Sequence, residues 1–300
     1  MWASRRRQIK RAVTSAPVTR DVVRRFVAGE TIEEALAVTR TLNSEGLHVS
    51  LDHLGEDTLD AATARAAVDA YCSLAERLAD EGLAATAEMS VKLSAVGQAL
   101  DESMALDNAR LICDAARAAG SSVTIDMEDH TTTDSTLRVV GLLRQDFPAT
   151  GAVLQASLHR TEDDCRALGV PGSRVRLCKG AYQEPSSLAW QRPDDIRGAY
   201  VRCLATLIAG SALPMAATHD PKLVQATGRL VGDIGGPRFK HEYQMLFGIR
   251  PDEQRRLAAA GETVRVYVPF GVQWYGYLMR RMAERPANTA LFLRALMSRN

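Results

Sequence analysis

Short strand-like runs alternate with longer helix-like runs over most of the chain. From residue 47 onward, segments rich in β-branched residues are followed by alanine- and leucine-rich segments whose apolar residues recur at helical spacing. The predicted strands are 47–52, 86–93, 122–127, 151–156, 174–179, 213–218, 238–244 and 264–268. The predicted helices are 58–81, 104–119, 133–146, 161–168, 193–209, 220–231, 251–260 and 271–284.

Strand and helix alternate eight times between residues 45 and 286, and this repetition predicts the fold class. It is typical of an α/β protein built as a closed (βα)8 TIM-type barrel, and it does not favour an open doubly wound sheet. Residues 1–44 are predicted to form a separate N-terminal helical arm, and residues 287–300 a C-terminal helix. Within the arm, Thr31 and Glu34 have the spacing of a capping box that opens a helix.

Composition narrows the class of protein. Three hundred residues with 46% hydrophobic content can form one large domain. The 37 basic and 36 acidic residues give a net charge of +1, so the protein as a whole has no positive electrostatic field that would attract nucleic acid. Five cysteines without a C-x-x-C motif indicate neither a disulfide framework nor a zinc site, so we expect a reducing compartment. No apolar run is long enough for a membrane span or a signal peptide, and the sequence predicts a cytoplasmic protein.

Basic residues cluster in the first part of the arm, where they alternate with valines. They are Arg5, Arg6, Arg7, Lys10, Arg11, Arg20, Arg24 and Arg25. Two interpretations of this amphipathic segment stay open. It can cover the closed end of the barrel as a solvated helix, or it can touch anionic lipid at the inner face of the cell membrane.

Polar side chains mark the carboxyl ends of the predicted strands, which is where barrel enzymes have their active sites. The residues at or just after these ends are Asp52, Glu56, Lys92, Asp126, Glu128, Gln155, Arg176, Lys179, Thr218, His219, Glu242, Gln244 and Tyr267. Because every strand contributes, the pattern predicts a site at the mouth of the barrel. Its mixture of both charges suits a zwitterionic ligand.

The helix after the last strand presents Tyr277, Arg280, Arg281 and Glu284 at steps of three and four, so these side chains share one face. Two arginines beside an aromatic ring can clamp a small carboxylate next to an apolar body. A solvated basic helix is the alternative interpretation.

Several reaction classes find little support in the motifs. The six histidines include no H-x-H or H-E-x-x-H arrangement, so no metal site is predicted. A G-x-S-x-G motif is lacking, and Cys178 lies within an apolar strand, as core cysteines do. A Schiff-base aldolase that uses Lys92 without a cofactor stays open. That alternative gives no role to the hydrogen-bond donors near Arg176 and His219, whereas a large polyanionic cofactor would bind to them.

The chain resembles the proline dehydrogenase family over about residues 51–288. The motifs that carry the resemblance are LDHLGE, SVKLSA, IDMED, RLCKGAY, ATHD, YVPFG and YLMRRMAERPAN, in that order along the chain. The resemblance implies a distorted barrel that binds FAD, with the final helix over its mouth. It further implies oxidation of L-proline to 1-pyrroline-5-carboxylate by hydride transfer to FAD, with electrons passed to a quinone. No aldehyde dehydrogenase domain follows before Asn300, so the monofunctional type is expected.

The resemblance also implies roles at the substrate. Arg280 and Arg281 would hold the carboxylate of proline together with Lys92, while Tyr267 and Tyr277 would flank the ring. Two further roles are implied by the same motifs: Asp126 would support the cationic cluster, and Glu56 would pair with Arg280 as a gate when the site is empty.

Cofactor contacts are implied in the same way. Arg176 would reach the flavin near N5, and Gln155 its isoalloxazine edge. The other implied contacts are Cys178, Gly180, Ala181, Tyr182, Thr218, His219, Glu242 and Glu284, the last at the adenosine portion. Gly276 departs from the family pattern, in which proline is frequent at this position, and the departure leaves the substrate range less defined.

Overall fold

Eight parallel strands close into a barrel in the computed structural model, which describes residues 23–236 and 238–283. Each strand pairs with the next, and β8 returns to β1 with His48 opposite Arg265 and His53 opposite Phe270. The strands are β1 His48–His53, β2 Ala87–Val91, β3 Val123–Ile125, β4 Gly151–Gln155, β5 Arg174–Cys178, β6 Leu213–Ala217, β7 Glu242–Leu246 and β8 Val264–Phe270. The predicted (βα)8 fold class is therefore confirmed.

In the described chain, one helix precedes β1, others lie between successive strands, and the last follows β8. They are α1 Ile32–Ser44, α2 Ala61–Asp80, α3 Glu102–Ala118, α4 Thr133–Asp146, α5 Thr161–Leu168, α6 Pro193–Ala209, α7 Pro221–Leu230, α8 Pro251–Ala259 and α9 Trp274–Ala283. Side-chain caps define several helix starts, because an acceptor there satisfies backbone N–H groups that lack a partner within the helix. Asp60, for example, accepts from the Thr63 backbone N–H at 2.8 Å. None of these described helices has the length and apolarity needed to cross a membrane.

Helix α1, which belongs to the predicted N-terminal arm, packs on the barrel. The predicted capping box is present: Thr31 Oγ1 accepts from the Glu34 N–H at 3.3 Å, and the Glu34 carboxylate accepts from the Thr31 N–H at 3.2 Å. Ala35 and Leu36 are fully buried in the same apolar cluster as the strands. Most of the predicted basic arm, residues 1–22, lies outside the part of the chain that the structure describes.

Strand β7 differs from the sequence prediction by several residues. The run 238–244 alternates in a way that predicts a strand, yet the ladder covers Glu242–Leu246. Its register is set by β8, where Tyr243 lies opposite Val264 and Leu246 opposite Tyr267. Glu242 therefore starts the strand instead of ending it, and its side chain belongs to the amino-terminal end of the barrel.

Candidate active site

A cavity of about 740 Å³ opens at the carboxyl ends of the strands. Helix α9 contributes two side chains to its wall, so this helix lies at the mouth as predicted. The predicted site residues that line the cavity are Lys92, Asp126, Gln155, Arg176, Cys178, Gly180, Ala181, Tyr182, Thr218, His219, Tyr267, Tyr277 and Arg280.

Lys92 follows β2 and forms a buried ion pair with Asp52. Its Nζ lies 2.8 and 2.7 Å from the two carboxylate oxygens of Asp52, which is fully buried. Burial alone would lower the pKa of Lys92, but the carboxylates of Asp52 and Asp126 outweigh this effect and raise that pKa above its ordinary value. The ammonium therefore stays charged, which suits an anion-binding group and opposes a Schiff-base nucleophile.

Asp126 links the cations of the site to a tyrosine. One of its oxygens accepts from Tyr267 Oη at 2.8 Å, and the other accepts from Arg176 Nη1 at 2.7 Å and from Ser90 Oγ at 2.8 Å. Lys92 Nζ lies 3.8 Å from the same carboxylate. Asp126 is thus positioned to support both the cationic cluster and the ring of Tyr267.

All five N–H donors of the Arg176 guanidinium have acceptors within the protein. They donate to side chains on three other strands and in the β3–α4 loop, at 2.6–3.0 Å. The acceptors are Gln244, Ser90, Asp126, Ser50 and Glu88. The guanidinium carbon lies 5.4 Å from the centre of the Tyr267 ring. Arg176 therefore brings a fixed positive charge to the cavity, with no N–H left over for a direct bond to a ligand in this arrangement.

A second layer of charges lies below Arg176, toward the amino ends of the strands. Glu88 is buried and accepts from Ser50 Oγ at 2.9 Å, from Arg176 at 3.0 Å, and from Arg174. Burial alone would raise the pKa of Glu88, but the guanidiniums of Arg265, Arg174 and Arg176 hold that pKa well below its usual range. Glu88 therefore connects Arg174, at the amino end of β5, to Arg176, which lines the cavity.

We expect Glu88→Gln to destabilise the protein in a pH-dependent way. A depressed pKa in the folded state stabilises the fold above the ordinary glutamate pKa of 4.5, and this contribution is lost as the pH falls below it. The difference in urea midpoint between wild type and Glu88→Gln should therefore be largest at pH 7 and shrink steadily below about pH 4.5. Glu76→Gln, on the exposed face of α2, serves as the control. A difference that stays constant between pH 7 and pH 4 would contradict the assignment.

Glu242 does not line the cavity, in contrast to the predicted cofactor contact. It is buried at the start of β7, where its oxygens accept from Arg265 Nε at 2.9 Å and from Nη2 at 3.0 Å. The structure places Glu242 away from the cavity because the strand begins later than its alternating pattern suggests. Gln244, two residues on, takes the place at the cavity wall.

Arg280 on α9 forms a two-pronged ion pair with Glu56 from the β1–α2 loop. One bond, from Nη1 to Oε2, is 2.8 Å long, and a second joins Nη2 to Oε1. Burial alone would lower the pKa of Arg280, but the hydrogen bonds and the charge of Glu56 more than offset that effect. Glu56 itself lines a second cavity of about 250 Å³, and Tyr277 lines both cavities. The predicted Glu56–Arg280 pair is present.

The loop that carries Glu56 is tied to the neighbouring strand ends. Ser94 donates from Oγ to Glu128 at 2.6 Å, and its backbone carbonyl accepts from the Thr58 N–H at 3.1 Å. Asp57 adopts φ +52°, an unusual value for a residue with a side chain. These bonds hold the loop in place, so Glu56 is positioned to pair with Arg280.

The segment after β5 forms one wall of the cavity and includes a glycine that has no space for a side chain. Gly180 has φ +107°, and a Cβ at this position would lie 2.2 Å from Ser157 Oγ. Gln155 beside it donates to the Glu128 carbonyl at 2.7 Å. Burial raises the pKa of the Cys178 thiol to about 11, so this cysteine is not a thiolate nucleophile at neutral pH.

The opposite part of the cavity lies at the start of α7. His219 Nε2 accepts from the Leu246 backbone N–H at 2.9 Å, and Thr218 Oγ1 accepts from the Asp220 N–H at 3.1 Å. Lys179 Nζ bonds Asp220 at 2.8 Å. A cation and a helix start thus border this end, where the Asp220 carboxylate binds Lys179 and caps the helix.

Two predicted residues fall at the edge of the described chain. The backbone of Arg281 belongs to α9, but its side chain lies outside the described part of the molecule, as does all of Glu284. Their assigned roles stay predictions.

Sequence reasoning missed the polar residues in the middle of the strands. Ser50 on β1, and Glu88 and Ser90 on β2, point into the barrel and bind Arg176. A signal was available, because Glu88, Ser90 and Lys92 alternate and therefore share one face of the strand. Asp220 was also missed, although an aspartate before a proline is a frequent helix start.

Comparison with known proteins gives the following matches. The family model described as proline dehydrogenase matches residues 35–294. Proline dehydrogenase 1 of Bacillus subtilis (strain 168) is 36% identical over 283 residues, which are 94% of this chain and 92% of that protein. Proline dehydrogenase of Deinococcus radiodurans is 37% identical over 282 residues, covering 92% and 90% of the two chains.

A solved structure has the same fold. It is proline utilization A from Bdellovibrio bacteriovorus inactivated by N-propargylglycine, with a TM-score of 0.83 and 23% identity. The match covers 93% of this chain and 34% of that one. At this identity it supports the barrel architecture alone.

Proposed function

Because this chain belongs to the proline dehydrogenase family, we propose that it oxidises L-proline to 1-pyrroline-5-carboxylate, with FAD as the cofactor and a quinone as the electron acceptor. The observation that carries the proposal is the set of side chains around the cavity. Two cations, Lys92 and Arg280, meet two tyrosines, Tyr267 and Tyr277, beside a glycine-containing wall. That set matches a small ring that bears one carboxylate and lies against a flat cofactor.

The chain's own residues would bind and orient the substrate. Lys92 and Arg280, with Arg281 as a predicted third member, hold the carboxylate, and Tyr267 and Tyr277 limit the position of the ring. Asp52 keeps Lys92 in place, and Asp126 does the same for Tyr267. Holding the reacting carbon in one place contributes to the rate because the entropy of alignment is lost on binding and not in the reaction step.

The Glu56–Arg280 pair would act as a gate in this scheme. The carboxylate of proline competes with Glu56 for the same guanidinium, so substrate binding releases the β1–α2 loop from α9. The half-buried pair keeps Arg280 extended over the cavity until that exchange occurs.

The cofactor proposal depends on the shape of the wall and on the donors. Gly180 lines the cavity without a side chain, so a flat ring could lie against its backbone, while Lys179 and the start of α7 supply a cation and backbone N–H groups for phosphate. The residues that would hold FAD are Gln155, Arg176, Cys178, Gly180, Ala181, Tyr182, Thr218 and His219, with Glu284 as a predicted contact. The chemistry that FAD supplies when bound is acceptance of the hydride from the ring carbon beside nitrogen. Arg176 would stabilise the arriving negative charge through its own charge, since its N–H groups are already engaged.

The aldolase alternative is not favoured. A Schiff-base lysine must be neutral to attack a carbonyl, and Lys92 is held as an ammonium by both oxygens of Asp52.

The purified protein is expected to be yellow, to bleach anaerobically when L-proline is added, and to regain its colour when a soluble quinone follows. Pyrrolidine, which has the ring without the carboxylate, is the control and should bleach it far more slowly. A colourless protein that borohydride links to a carbonyl ligand through Lys92 would support the aldolase instead. If the protein is yellow but proline does not bleach it, proline is not its substrate.

We further propose that the basic cluster in residues 1–22 lets the protein touch an anionic membrane, where a quinone acceptor is dissolved. The support is the density of arginines in that segment. Equal binding to anionic vesicles with and without residues 1–16 would refute this contact.

A further inference from the structure

Residues 25–30, here named the N-terminal strap, lie at the carboxyl end of β8, beside α9. The Ala28 N–H donates to the Pro269 carbonyl at 2.9 Å, and the Gly29 carbonyl accepts from the Gly271 N–H at 2.9 Å. The strap is thus joined by backbone hydrogen bonds to the end of β8 and the turn before α9. The sequence prediction that the arm covers the closed end of the barrel does not hold for this segment.

Apolar side chains of the strap pack directly on α9. Phe26 and Val27, 2% and 1% exposed, form one cluster with Trp274, Tyr277 and Leu278. Leu54, which follows β1, completes this cluster. Because Tyr277 also lines the cavity, this cluster connects the strap to a residue of the site.

A polar contact fixes the first residue of α9. Trp274 is 7% exposed, and its indole Nε1–H donates to Glu30 Oε1 at 3.0 Å. Tyr277 lies one turn further along the helix and Arg280 two turns. An indole has a single donor, so Glu30 satisfies the whole hydrogen-bonding capacity of this side chain.

The β7–α8 loop receives the other side of the strap. Gly248 has φ +74°, and a Cβ there would lie 1.7 Å from the carbonyl oxygen of Arg25. Any side chain at this position would push the strap away from its seat. The close approach of the strap to this loop therefore requires glycine at position 248, both for space and for its backbone conformation.

From these contacts we propose that the N-terminal strap positions α9 and thereby places Tyr277 and Arg280 in the cavity. An isolated helix of 10 residues is marginally stable in water, so α9 depends on its packing partners. Phe26 and Val27 share a buried cluster with three residues of this helix, and Glu30 bonds its first residue. They are positioning residues, and their effect on catalysis rests on the proposed function.

Two glycine variants separate the effect of a steric clash with the strap from the effect of backbone strain. Gly248→Ala and Gly46→Ala carry nearly the same conformational penalty, at φ +74° and +75°, but nothing lies within 4 Å of a Cβ on Gly46. We expect Gly248→Ala to accelerate hydrogen exchange of the α9 amides and to raise KM for proline several-fold, with kcat and flavin content close to wild type. Gly46→Ala should show neither change. Equal α9 exchange in the two variants would overturn the proposal.

A second pair of variants tests the hydrogen bond without disturbing the backbone. Glu30→Gln keeps an acceptor for the Trp274 indole and should behave like wild type. Glu30→Ala removes that acceptor and should raise KM by roughly five-fold, the factor expected for the loss of one hydrogen bond, and should speed α9 exchange. If the glutamine variant behaves like the alanine variant, or if neither alters exchange, the strap does not position the helix. The exchange measurement decides this even if proline proves not to be the substrate.

Discussion

Replacing Arg280 by methionine is expected to lower kcat/KM for proline by roughly 30-fold to several thousand-fold while flavin content stays near wild type. Methionine keeps much of the packing volume but removes the charge that would bind the substrate carboxylate. Loss of one partner of a buried, charged hydrogen bond costs about 2 to 5 kcal/mol, and that range corresponds to these factors. Steady-state kinetics with a soluble acceptor gives the measurement, and Arg256→Met on the exposed side of α8 is the control.

The ion pair with Glu56 requires a second comparison. Glu56→Gln breaks the same pair but leaves the guanidinium charged, so it should lower kcat/KM much less than Arg280→Met. Binding of tetrahydrofuran-2-carboxylate, which has a ring and a carboxylate but no amine, should weaken in Arg280→Met in parallel with proline, whereas tetrahydrofuran itself should be indifferent. If the two variants lose equal activity, Arg280 acts through its contact with Glu56 and is not the carboxylate clamp.

Lys92→Met is expected to cause the largest loss of stability among the single substitutions considered. It leaves the fully buried carboxylate of Asp52 without its cation, and breaking a buried ion pair in this way costs about 3 to 5 kcal/mol. For a domain of this size the melting temperature should fall by roughly 5 to 8 °C, and proline oxidation should be lost. Calorimetry and the flavin-bleaching assay measure the two effects.

The double variant Lys92→Met/Asp52→Asn separates the two roles of the lysine. It removes both charges, so most of the lost stability should return, while proline oxidation should not. A double variant that stays as unstable as Lys92→Met would mean that the ion pair is not the cause. Recovery of proline oxidation would mean that the ammonium does not bind the substrate.

Much of the fold could be predicted because each strand–helix unit has its own local pattern. The barrel then follows from the number of repeats, and it places Lys92 and Tyr267 at one mouth even though they are 175 positions apart. The boundary of β7 could not be predicted in this way, because its start is fixed by pairing with β8 and not by its own alternation.

The polar interior of the site was harder to predict for a different reason. Ser50 and Glu88 are single polar residues within apolar strands, and their meaning depends on Arg176, which reaches them across the barrel. The strap poses the same difficulty, since nothing near Glu30 in the sequence indicates that its partner is Trp274. Pairings of this kind become visible only when the strands and helices have been placed in space.

The closure of the barrel between β1 and β8 has a consequence for how the protein is made. The two strands come from opposite ends of the chain, and α9, which carries Tyr277 and Arg280, is synthesised after both. While the chain grows on the ribosome, β1 has no partner on one side, and the strap has no helix to hold. Unpaired strand edges promote association between chains, so the interval before β8 emerges is the one in which a nascent chain has the greatest need of a chaperone.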